Sequence, residues 1–242
     1  MNAEPVGCKE CNKPIEGNFC MTCGRSANLP RIDYKYLLDE IGSVLSLKKG
    51  ILYSIRELTL RPGSSIRAFI RHDRKRLVKP VIFVIFCSFL YTMLQQTLGF
   101  DDGYVNYDTD EIDSSSLLIF GWVQENYGYA NILMSAFIAV WIKVLFRKYN
   151  YNFFEIWTLL FFVFGIGMLL YAVFGVFETI FGRKLFYYGG MLGIIYSTWA
   201  IAQFFDGRKV LNYIKALLSY FLGLITFTFA ALGAGALIDS VF

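Results

Sequence analysis

Histidine is almost absent from these 242 residues: His72 stands alone. No nucleophile constellation accompanies it, so it reads as a surface or interface residue and not as a general base. Charge is scarce as well, with 17% Asp, Glu, Lys and Arg against 56% hydrophobic and 18% aromatic residues and a mean hydropathy of +0.47. That balance excludes an ordinary soluble domain. Short alternating strands are missing, which excludes a transmembrane β-barrel. The start of the chain has no cationic segment followed by a short apolar run and a cleavage-like site, so a cleaved signal peptide is not expected.

What is there is a series of apolar runs near twenty residues long, the length that satisfies its own backbone as a helix across a hydrocarbon core of roughly 30 Å. The expected fold class is an all-α polytopic membrane protein with five transmembrane helices, near residues 80–99, 130–146, 157–177, 187–205 and 216–238. Three regions are expected: a small zinc-ribbon module at 1–30, basic amphipathic membrane-proximal helices at 31–79, and the five-helix domain at 80–242.

Four of the five cysteines fall before the first run as Cys8, Cys11, Cys20 and Cys23, spaced C-x2-C-x8-C-x2-C. Two close pairs can wrap one tetrahedral ion from opposite turns, and four thiolates favour zinc over hard, oxygen-seeking ions. Pro14, Gly17 and Gly24 suit the returns, with Ile15 and Phe19 as a very small apolar backing. A module of this size needs the metal because it can bury little core without it. An iron–sulfur cluster also uses four thiolates, but no redox machinery lies nearby; disulfides require an oxidising compartment. Four-cysteine ligation closes the coordination sphere, so the expected cofactor is a structural zinc ion and no catalytic residue is assigned. Cys87, embedded in the first apolar run, is expected as a small buried side chain and not a further ligand.

The connector carries two helical patterns, Tyr34, Leu37, Leu38, Ile41, Val44 and Leu45, then Ile51, Leu52, Ile55 and Leu58. Each is suited to lying at an interface with one apolar face. Next comes LRPGSSIRAFIRHDRKRLVKP, where Pro62 and Gly63 favour a turn and Ser64 or Ser65 a helix start. Arg67, Arg71, Arg74, Lys75, Arg76 and Lys79 are expected to face anionic phospholipid. The same cations lack the repeated aromatic and basic platforms of a nucleic-acid site, so no nucleic-acid partner is expected. The acidic stretch at 101–113 has no calcium-loop order of oxygen ligands and reads as an exposed linker.

Fifteen of the 23 Lys and Arg precede residue 80, against 8 of the 19 Asp and Glu. With Lys143, Arg147 and Lys148, this bias predicts a cytoplasmic N-terminus and, for five spans, a C-terminus on the opposite side of the membrane. A reducing cytoplasm in turn favours metal ligation over disulfides.

The combination of CKEC, FCMTCGR, ELTLRPGSSIRAFI and the basic run before the first apolar helix resembles a bacterial family, domain of unknown function 3667. In that family the RPG phrase commonly introduces a simpler GKR-like segment, where this chain reads RHDRKR. The resemblance implies a recurrent zinc-ribbon membrane architecture and no established reaction. A looser architectural likeness is to the Yip family, with its cytoplasmic N-terminal region and five transmembrane helices. The expected function is a membrane scaffold or adaptor with a protein partner or homo-oligomeric contact. The alternative is a small-molecule or lipid transporter with a regulatory zinc module, ranked lower because no repeated half, midplane charge pair or selectivity-filter-like loop is evident.

Overall fold

A computed structural model describes residues 8, 11, 20–23, 50–99, 115, 119, 121–123, 127–183 and 185–241, with the backbone alone at 127–128 and 240–241. The amphipathic pattern at 34–45, the turn and backing residues of the cysteine module and the acidic stretch at 101–113 lie outside these. The chain divides into two compact units, Met1–Val44 and Leu45–Phe242.

The second unit is all-helical among its described residues: α1 (Ile51–Leu60), α2 (Pro62–Arg71), α3 (Pro80–Leu98), α4 (Tyr127–Leu145), α5 (Phe153–Phe181), α6 (Phe186–Asp206) and α7 (Val210–Val241), with a 3-10 turn at Arg147–Tyr149. Local chemistry sets several of these boundaries. Pro62 and Pro80 stand in the first turns of α2 and α3, where a missing N–H costs nothing. Asn152 and Glu155 form a reciprocal capping box at the start of α5, each bond 2.8 Å.

The expectation of five transmembrane helices is corrected by the structure. Among the described residues, three helices are long and apolar enough to cross a membrane by length and composition: Pro80–Leu98, Phe153–Phe181 and Val210–Asp239. The expected second span forms a helix, but its described apolar stretch, Tyr129–Leu145, falls short of 18 residues. The expected fourth span forms α6, whose 21 residues include Tyr187, Tyr188, Ser197, Thr198, Gln203 and Asp206, too polar a set to qualify. This removes the span count on which the looser likeness to Yip-family proteins rested.

Contacts fix the directions of the helices. Lys143 of α4 bonds the Tyr151 carbonyl ahead of α5, and Lys215 of α7 reaches the Leu145 carbonyl at the end of α4. Tyr151 packs its ring on Phe204 near the end of α6, 4.6 Å between centroids. The starts of α5 and α7 and the ends of α4 and α6 therefore meet at one end of the bundle. The apolar helix α5 is its centre: 61% of its most apolar window is buried, against 22% for α3 and 17% for α7.

The α1–α2 hairpin buries its apolar face against protein. Leu58, Ile66 and Phe69 join the core, with Phe69 edge-on to Phe162 of α5 at 5.4 Å. Gly63 sits so close to Gln203 of α6 that a methyl group there would overlap the Gln203 backbone carbonyl. That approach lets the Arg67 guanidinium donate to the carbonyls of Gln203 and Phe204, the latter at 2.8 Å. These are among the last carbonyls of α6, which no helical N–H satisfies. Tyr196 completes the contact by donating to the Leu58 carbonyl at the end of α1, 3.0 Å away.

Replacing Arg67 with Met should strip two carbonyls of a charged donor and destabilise the protein by about 2 to 3 kcal/mol. Thermal unfolding of the purified protein in detergent measures this. An unchanged transition would show that water serves those carbonyls as well.

Candidate functional site

Two features carry chemistry, one in each unit. In the first unit, Cys8, Cys11, Cys20 and Cys23 converge, with all four sulfurs within 4.8 Å of one another. The separations are 3.4 Å for Cys8–Cys23, 3.5 Å for Cys11–Cys20 and 3.7 Å for Cys11–Cys23, and all four are free thiols. A tetrahedral ion with metal–sulfur bonds of about 2.3 Å would set its sulfurs about 3.8 Å apart. The donor set therefore fits a four-thiolate metal ion with little rearrangement. Cys8 and Cys20 are buried, Cys11 is half-buried and Cys23 is exposed.

Cys20 is the ligand most prepared for metal. The backbone N–H groups of Cys23 and Thr22 point at its sulfur and, helped by the Cys11 and Cys23 side chains, lower its pKa to about 6 from an ordinary 9.0. Such a turn, with amides folded over a sulfur, holds thiolate at neutral pH before any ion arrives. Cys87 is elsewhere, fully buried in α3 of the other unit.

In the second unit, a partly buried polar network holds the basic segment after α2 at Arg76 and Val78. Glu57 of α1 accepts from Ser65 of α2 at 3.0 Å and pairs with Arg76 at 2.9 Å. Arg76 also donates to the Tyr53 hydroxyl, 3.3 Å away, and that bond first, with Glu57 after it, raises the Arg76 pKa further. Ser54 accepts the Val78 N–H at 3.0 Å and donates to the Gly50 carbonyl. Arg67 is engaged with α6 as described, and the Arg71 guanidinium lies 5.1 Å from the centre of the Tyr151 ring. Arg71, Arg74, Lys75 and Lys79 are exposed, as is His72. Among the described residues none of these four cations has an ion-pair partner.

The six sequence-selected cations thus divide by geometry: Arg67 and Arg76 are half-buried and bonded to protein groups, and the other four are exposed. Sequence reasoning missed the carboxylate that holds the segment, Glu57. Its signal was a lone acid inside a basic, apolar stretch, eight residues before a serine.

These features define a class: a multi-span helical membrane protein with a four-cysteine candidate metal site. A family model described as protein of unknown function (DUF3667) matches residues 49–92, which take in α1, α2, the basic segment and the first part of α3. The cysteine motif lies outside the matched residues. No curated protein and no solved structure matches the chain.

Zinc loading of the metal-free protein at pH 7 should release fewer than four protons per ion. Cys20, with its pKa near 6, is already mostly thiolate there and contributes almost none. Calorimetric titration in buffers of differing ionisation enthalpy counts the protons; four released would refute the lowered Cys20 pKa.

Proposed function

We propose that this protein is a membrane scaffold or adaptor whose α1–α2 hairpin presents a fixed cationic surface to anionic phospholipid headgroups. The observation that carries the reading is the division of the basic residues. Arg67 and Arg76 brace the segment, while Arg71, Arg74, Lys75 and Lys79 stand exposed immediately before α3. A cation near an anionic leaflet contributes on the order of 1 kcal/mol. A segment held by Glu57 and Ser54 loses less freedom on meeting headgroups than an unbraced chain would.

The rest of the reading follows from this surface. The anionic leaflet is the cytoplasmic face of a bacterial inner membrane, with the N-terminus on that side and the end of α7 on the periplasmic side. The four cysteines hold a structural zinc ion, and the small module they close contacts a protein partner or a second copy of the chain. A closed four-thiolate site supports a structural role over hydrolysis because it leaves no position for water. The family match supports kinship with DUF3667 proteins over the hairpin itself.

Thermal stabilisation of the purified, zinc-replete protein by added phosphatidylglycerol, compared with phosphatidylcholine, tests the lipid surface. The native protein should prefer phosphatidylglycerol. Combined Arg71→Gln, Arg74→Gln, Lys75→Gln and Lys79→Gln replacement should reduce that preference at least tenfold while leaving the unliganded melting temperature close to native. Equal stabilisation of the native protein by both lipids would defeat the reading.

A further inference from the structure

The helical bundle contains a cavity of about 280 Å³ among α4, α5, α6 and α7, remote in chemistry from the basic hairpin. Among the described residues no Asp, Glu, Lys or Arg lines it. Its walls include Phe164, Tyr171, Tyr220 and Met168, and two polar side chains open into it, Asn131 from α4 and Ser197 from α6. Each of these residues is only 5% exposed, and no hydrogen bond from either side chain is found among the described residues. Amides and hydroxyls in such a setting are ordinarily satisfied, and two that open on one half-open space are placed to bond an occupant.

A second observation concerns how the space arises. Gly167 lines the cavity, and a methyl group added there would meet nothing within 4 Å. Glycine inside a helix is less favourable than alanine. At Gly165, two residues earlier, the reason for glycine is evident: a methyl there would run into the Phe83 ring of α3. Gly167 has no such neighbour, and its effect is to leave room.

We infer that this cavity is a binding site for a small uncharged molecule with a flat apolar ring and carbonyl or hydroxyl oxygens. An ion would lose its hydration without gaining a counter-charge. A flat ring gains edge and face contacts with the aromatic side chains and with the Met168 thioether. Oxygens on that ring accept from the Asn131 amide and the Ser197 hydroxyl, donors that line the space. A site with these features lies within the class of mostly apolar pockets carrying a few placed polar groups.

The test uses the full-length protein in phosphatidylcholine nanodiscs and duroquinone, a neutral ring whose four methyl groups prevent its addition to cysteine. Duroquinone should quench tryptophan fluorescence saturably, above the linear quenching that lipid partitioning gives. Asn131→Leu should weaken binding about tenfold, the equivalent of one lost hydrogen bond. Gly167→Val, whose Cβ enters open space, should retain a melting temperature close to native and abolish saturation; it decides the matter if Asn131→Leu does not fold. Durene, the same ring without oxygens, should compete at least tenfold less well. Linear quenching alone, native affinity in either variant, or equal competition by durene would each overturn the inference, the first of them leaving a cavity that holds only water.

Discussion

The carbonyls at the end of α6 impose the constraint around which the rest is arranged. A helix leaves its last four carbonyls and first four N–H groups without internal partners, and a poorly hydrated setting makes each one costly. At the start of α6, Glu178 accepts from the N–H groups of Leu185 and Phe186, both at 2.8 Å. At its end, Arg67 donates to Gln203 and Phe204, and Asn212 donates to the Asp206 carbonyl at 2.8 Å. A carboxylate at the N-terminus and a guanidinium at the C-terminus also match the direction of the helix dipole. The most polar of the long helices is the one closed at both ends by charged side chains.

Arg67 can reach those carbonyls only because α2 lies close to α6, and Gly63 permits that distance. The hairpin is then committed: Leu58, Ile66 and Phe69 enter the core, and Tyr196 closes the α1 terminus. Glu57 and Ser54, now fixed, tie down Arg76 and Val78, close in the chain to the exposed Arg74, Lys75 and Lys79. A single close backbone contact thereby decides which basic residues are structural and which are displayed. The cysteine unit solves the opposite problem. A unit of that length can bury little apolar area, and its described cysteines bring four sulfurs within 4.8 Å of one another as a candidate metal site.

The convergence of the four cysteines and the helical character of the chain were legible because both are local. Ligand spacing within a turn and apolar runs of membrane length need no knowledge of distant neighbours. The number of qualifying spans was not legible in the same way. Residues 187–205 read as apolar through Met191, Leu192, Ile194 and Ile195, yet their tyrosines, Ser197, Thr198 and Gln203 bring the whole helix below the mark. Nor could spacing distinguish Arg67 from Arg74. The partners of Arg67 lie 136 and 137 residues further along the chain, and only the packing of α2 on α6 brings them together.

The glycines of GIG at 165–167 make the same point at finer scale. Small residues in membrane helices are read as sites of close approach, and for Gly165 that reading holds, since the Phe83 ring occupies the place of its missing side chain. Gly167 is also buried in α5 and yet faces open space beside Asn131 and Ser197. If the bundle had been selected for packing alone, a larger residue at 167 would add contacts and raise helix propensity together. Tight packing on one side of α5 and a largely apolar space on the other, two residues apart, mean that small residues here do two different things. One brings α3 against the central helix, and the other keeps α4, α6 and α7 from filling the space between them.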